Sequence, residues 1–229
     1  MKKKIIMVAD VETTKLGYVY DLGYLIADKY GNVLAERSFV IEDIFKNEKL
    51  MKDAYYYSKH PQYIRDILDG KRALMDWSDV MKTMYQDLKE FDVQVFSAYN
   101  ANFDYCALKR TNELLRNRPF KMVDNLEIWD IWNYAVQTIC SQATFKKVAE
   151  REKWVTDSGK FYRTSAEIVY AYISKNYDFK EEHTGLEDCY IEYEILMKAI
   201  RQNKKLPNGK GIKHMPFKFL GEFPKLEIA

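Results

Sequence analysis

Four acidic residues and one histidine stand at spacings that can do chemistry. Asp10 and Glu12 follow the apolar run Ile5-Ile6-Met7-Val8-Ala9 as a D-V-E triplet. Side chains alternate across a strand, so both carboxylates project from one face, ~7 Å apart along the chain, where they can share a hard cation. With 34 acidic residues in the chain, a D-x-E arises about once by chance. The plain alternative is a pair of solvated strand-end charges. Against it, the pair continues the face of Ile6 and Val8, and unpartnered carboxylates beside a core are costly.

Asp104 closes Asn100-Ala101-Asn102-Phe103-Asp104, in which either asparagine is a good N-cap for a following helix. Counting in helical steps, Asp104 shares its stripe with Ala107, Leu108, Thr111 and Leu115, so the carboxylate faces the core. Its plain reading is a first-turn Asp favoured by the helix dipole. In His183-Thr184-Gly185-Leu186-Glu187-Asp188, Thr184 and Glu187 have capping-box spacing. That makes His183 the N′ residue and Asp188 the N4 residue, positions that normally meet as a hydrophobic staple. An apolar contact is replaced by a base beside an acid. Asp188 also shares its face with Ile191, Ile195, Leu196 and Ala199. Four hard oxygen donors suit Mg²⁺ or Mn²⁺, and two such ions ~4 Å apart can stabilise the attacking and leaving oxygens of a phosphoryl displacement. Water attack needs a base, and His183 is the suitable neutral-range group of the set.

The elements that must hold these residues read as mixed α/β. Ile5 to Ala9 is a buried strand; Tyr18 to Ala27 and Val33 to Ile41 alternate around the turn signal Asp28-Lys29-Tyr30-Gly31-Asn32, predicting a hairpin beside it. Apolar spacing predicts a helix over Asp76 to Phe91, a strand over Val93 to Ala98, a helix over Phe103 to Leu115, a short strand over Phe120 to Val123, and mostly helices to Ile200. Ser165, with Thr164, can cap a helix over Ala166 to Lys175. The chain has 229 residues, 47% hydrophobic and 31% charged, with a net charge of +2. Such a composition excludes a disordered or fibrous chain and a bulk basic field for nucleic acid. Three cysteines without a C-x-x-C pair fit a reducing, cytoplasmic setting. The opening imitates a secretory leader, but its apolar run ends after five residues in Asp10. No stretch approaches the ~18 apolar residues of a membrane span.

D-V-E-T-T, N-A-N-F-D and H-T-G-L-E-D, in that order, resemble the three motifs of the DEDDh group of 3′→5′ exonucleases, typified by the proofreading epsilon subunit of bacterial DNA polymerase III. The ordered combination arises by chance on the order of a few times in a thousand such chains. Asp21-Leu22-Gly23 resembles the family's second-strand signature. The resemblance implies a ribonuclease H-like fold, Asp10, Glu12, Asp104 and Asp188 as ligands of two Mg²⁺ or Mn²⁺ ions, and His183 as general base. It also implies Thr13 and Thr14 at the terminal nucleotide, with Asn100 and Phe103 among the substrate-binding positions and Phe103 packed beneath the site. Gly185 departs from the Ala of many members, and Lys15-Leu16-Gly17 replaces the Gly that usually follows the threonines. The implied activity is hydrolysis of DNA, or of RNA, from single-stranded or frayed 3′ ends to nucleoside monophosphates. Rival readings are an idle module of the same fold that docks on a polymerase or another replication partner, and a ribonuclease H-type endonuclease. The spacing and the insertion resemble, more weakly, stand-alone exonucleases of bacteria and phages.

The expected organisation is an exonuclease domain over residues 1–202, with a helical insertion at about 44–75, and a basic appendage over 203–229 that carries Lys204, Lys205, Lys210, Lys213 and Lys218. Tyr55-Tyr56-Tyr57 in the insertion is expected to be core, with a stacking platform for bases as the functional alternative.

Overall fold

The computed structural model describes residues 4–202; the basic appendage lies outside them. The chain is α/β, with one six-stranded mixed sheet flanked by helices. β1 (Ile5–Thr13), β2 (Val19–Asp28) and β3 (Val33–Ile41) form an antiparallel meander. β4 (Ala73–Met75) adds parallel to β3, β5 (Val95–Ala98) parallel to β1, and β6 (Glu127–Asp130) parallel to β5, giving the order β4-β3-β2-β1-β5-β6.

Between β3 and β4 run the short helices α1 (Glu42–Phe45) and α2 (Glu48–Met51), then α3 (His60–Leu68). α4 (Trp77–Glu90) precedes β5 and α5 (Ala101–Arg116) follows it. After β6 come α6 (Ile131–Ala135), continued by a π-helical turn to Cys140, then α7 (Ala143–Arg151), α8 (Ala166–Ser174) and α9 (Gly185–Ile200).

The period of two in β1 divides two cores. Met7, Ala9 and Val11 face one side with residues of α4 and α5, such as Met84 and Leu108. Ile6 and Val8 face the other, with α6 to α9. Each fully buried aliphatic side chain contributes about 1.5–3 kcal/mol, so the register of β1 is firmly held and the face on which Asp10 and Glu12 fall is fixed.

Several expectations need correction. β1 contains Asp10, Val11 and Glu12 as expected and runs one residue further, to Thr13. The strand expected over Phe120 to Val123 is not formed: both residues are buried, but Phe120 lies in irregular chain and Val123 in a turn, and the pairing backbone is Glu127–Asp130. The insertion is helical as expected, yet it also contributes the edge strand β4. In it, Tyr55 and Tyr57 are 60% and 46% exposed, so neither is core; Tyr63, which is buried, fills that role. Among the described residues no helix is long and apolar enough to cross a membrane.

Candidate active site

The site lies where the carboxyl ends of the parallel pair β1 and β5 meet the start of α9, the edge of an open α/β sheet at which ligand crevices form. A register shift between Glu12 and Thr13 bulges the end of β1, a device that re-aims side chains. α9 reaches this point through two glycines. A Cβ on Gly23 of β2 would stand 2.1 Å from the Gly185 carbonyl carbon, and one on Gly185 would stand 2.4 Å from the Gly23 nitrogen. The first turn of α9 therefore rests backbone on backbone against β2. A glycine at 185 is what this contact requires.

Asp21 completes the joint. Its buried Oδ2 accepts the Gly185 N–H at 2.9 Å and the Tyr63 hydroxyl at 2.7 Å. Thr184 is the N-cap residue, but its hydroxyl donates to Glu187 Oε2 at 2.7 Å instead of accepting a backbone N–H, so the expected capping box is not formed. Glu187 is bound in turn by Arg72, at 2.9 and 3.0 Å. His183 precedes the cap with φ 49°, in the left-handed region. Its ring stacks on Tyr56, centroids 4.4 Å apart at 10°.

The resulting cavity, of about 300 Å³, is lined by Asp10, Glu12, Asp188 and His183, with Thr13, Tyr56 and Phe103 on its walls. Single ligand atoms of Glu12, His183 and Asp188 lie within 4.8 Å of one another. Asp10 lines the same cavity but stands outside that triplet, and Asp104, only 1% exposed, neither lines the cavity nor joins the triplet. The Asp104 carboxylate is held by its own amide and that of Val11.

The other expected positions divide. Thr13 lines the cavity, its buried hydroxyl without a hydrogen-bond partner. Thr14 does not: it is fully buried, and its hydroxyl accepts the Tyr18 N–H at 3.2 Å within the β1–β2 turn. Phe103 is 45% exposed at the rim, not packed beneath the site. Asn100 is the N-cap of α5, with φ 68° and no side-chain capping bond, and it lines a neighbouring cavity.

Two carboxyls are here that the motifs did not pick out. Glu192, 3% exposed on α9, lines the cavity and accepts the Tyr99 N–H at 3.1 Å. Its signal was available, since it lies one helical turn after Asp188 on the same face. Glu181 also lines the cavity, 3.9 Å from His183 Nδ1. It precedes α9 in irregular chain, where no periodicity marks it.

The electrostatics are those of crowded, desolvated carboxyls. Burial, then neighbouring Asp21 and Asp188, push Glu12 up to about 9. Burial takes Asp188 to about 7 against the pull of the Thr184 amide and Lys59. Burial and Asp188 take Glu181 to about 8. Asp10, Asp104 and Glu192 are raised as well, burial leading in each. His183 is held below 6.5 by burial and by Lys59, so it is a neutral base at neutral pH. Asp10 Oδ2 and Asp188 Oδ1 are buried with no hydrogen-bond partner among the described residues. Oxygens of this kind, in a cavity of like charges, fit a hard divalent cation.

Comparison with protein-family models and with curated proteins finds no match to this chain.

Proposed function

We propose that the chain is a metal-dependent 3′→5′ exonuclease of the DEDDh type with a ribonuclease H-like fold, releasing nucleoside monophosphates from nucleic-acid 3′ ends. The observation that carries this reading is the meeting of Glu12, His183 and Asp188 ligand atoms within 4.8 Å, in a cavity where Asp10 and Asp188 each keep a buried, unpartnered oxygen. Asp10, Glu12 and Asp188 would hold Mg²⁺ or Mn²⁺, with the buried Asp104 as the fourth candidate carboxylate. When bound, the metal supplies Lewis-acid stabilisation of charge on a scissile phosphate.

The chain's own groups do the rest. His183, neutral and stacked on Tyr56, takes the proton of the attacking water. Thr13 offers an unpaired hydroxyl on the cavity wall to the terminal nucleotide, and the exposed face of Phe103 offers it a stacking surface. The seating of Gly185 against Gly23 and the bond from its amide to Asp21 fix the start of α9, and so the placement of His183 and Asp188.

The test is a strand labelled at its 5′ end, incubated with Mg²⁺ or Mn²⁺, beside a 3′-blocked strand and an EDTA control. The expected result is a ladder that shortens from the 3′ end and vanishes with the block or the chelator, and that Asp188→Asn abolishes. Cleavage of the blocked strand would identify an endonuclease instead, and binding without cleavage a docking module.

A further inference from the structure

Beside the acidic cavity, and sharing Tyr99 and Ser165 with it, opens a second cavity of about 690 Å³. The two are opposite in character. Among the described residues the acidic cavity is lined by five carboxyl groups and no Lys or Arg. The second is lined by aromatic rings, hydroxyls and Arg163, with no carboxylate. Its volume is that of a small-molecule pocket.

Its walls are set in advance. Residues 154–163 turn back on themselves through a bridge between Val155 and Tyr162, and the Arg163 N–H bonds the Trp154 carbonyl at 2.9 Å. Thr164 fixes two rings: its hydroxyl accepts Trp132 Nε1–H at 2.9 Å, and its carbonyl accepts the Tyr99 hydroxyl at 2.5 Å. Trp132 and Phe161 are half-buried on the wall. At the rim Arg163 is anchored through Nε–H to the Val155 carbonyl at 2.9 Å, while its Nη2 pairs with Asp157, which is 97% exposed; an exposed pair of this kind is worth little, so that end of the guanidinium yields readily to a phosphate.

We propose that this cavity is a base subsite, taking one unpaired nucleobase of the strand whose 3′ end occupies the acidic cavity, with Arg163 on the adjoining phosphate. The inference rests on the nucleic-acid reading above and adds to it a second place, apart from the acidic cavity, where an unpaired base of the bound strand is held. Flat rings held in place suit stacking, which tolerates any base. The shared wall of Tyr99 and Ser165 keeps base and scissile phosphate on one strand.

The experiment uses the full chain with Mg²⁺ and short 5′-fluorescent thymidine strands whose 3′-terminal linkage is a phosphorothioate, so that binding is read without turnover. A single abasic residue is moved along the strand from the 3′ end. One position should weaken wild-type binding roughly tenfold. Phe161→Leu, which keeps apolar volume but removes the ring, should lose the same roughly tenfold on the intact strand and nothing further on that abasic strand, while Phe161→Trp restores affinity. Arg163→Gln should lower the slope of log affinity against log salt by about 1. Wild-type affinity for Phe161→Leu, or an equal loss on every strand of the scan, overturns the subsite. Cleavage of an ordinary strand in parallel separates the two readings: cleavage with a flat scan removes the subsite alone, coupling without cleavage removes the exonuclease alone, and neither binding nor cleavage removes both.

Discussion

His183 combines three features: a neutral imidazole, a left-handed backbone and a stacked aromatic neighbour. As a proton acceptor its loss should be felt in rate. His183→Ala is expected to lower turnover about 10²- to 10⁴-fold while calorimetry shows Mn²⁺ affinity largely kept. A loss confined to metal affinity would make it a ligand instead, which its place in the triplet with Glu12 and Asp188 also permits. Gly185 is the second residue on which the site turns. Gly185→Ala places a methyl 2.4 Å from the Gly23 nitrogen and 3.1 Å from the Asp10 carbonyl oxygen. Neither backbone atom moves cheaply, so the variant should lose about 1–3 kcal/mol in denaturant unfolding and lose Mn²⁺ response with it. The alternation at Asp10 and Glu12 and the helical face at Asp104 and Asp188 made the inward carboxyls legible in sequence. The Tyr56 stack and Glu181 were not, because both sit in irregular chain whose placement depends on contacts distant in sequence.

Between elements, Arg72 is the joint. From the turn between α3 and β4 it reaches Asp66 on α3 at 3.2 Å, Ser38 on β3 at 3.0 Å and Glu187 on α9 at 2.9 Å, with Asp21 on β2 3.6 Å away. The insertion is thereby tied to the helix that carries Asp188. Arg72 and Asp21 are both almost wholly buried, so removing one strands the other. Arg72→Met should cost about 3–5 kcal/mol in denaturant unfolding, and Asp21→Asn in the same chain should recover part of it. A loss below 1 kcal/mol, about that of an exposed pair, would show that the network does not hold the insertion. The hairpin, α4, α5 and the Ser165 cap of α8 follow from local periodicity and turn residues. β4 and β6 do not: each is a short parallel strand whose partners come from elsewhere in the chain, and neither alternates strongly enough to be read alone. Phe120 and Val123 drew the strand assignment because burial in irregular chain and turns leaves the same apolar signal as burial in a strand.

At the scale of the molecule, the fold converges carboxyls that repel one another and lack water, so its metal-free stability depends on pH in an unusual direction. A carboxyl whose folded value is raised favours the folded state below its ordinary value and withdraws that support as pH rises through the folded one. Glu12, Asp188 and Glu181 move from 4.5, 3.8 and 4.5 to about 9, 7 and 8, so the support is lost progressively across that window. Glu187 and His183 run the other way: the Thr184 hydroxyl and Arg72 outweigh burial and hold Glu187 below 4.5, a contribution complete before the window opens, while His183, held below 6.5 by burial and Lys59, gains support as pH rises towards 6.5, one group against the three carboxyls. Thermal unfolding in EDTA should therefore show a midpoint that falls as pH is raised from about 5 to about 9. On the proposed metal role Mn²⁺ takes the ionised carboxyls, so its stabilising increment should grow over the same range. Glu12→Gln should flatten both trends. A metal-free midpoint that rises across the window, or an increment independent of pH, would mean that these carboxyls are paired in some other way and that the cavity does not demand a cation.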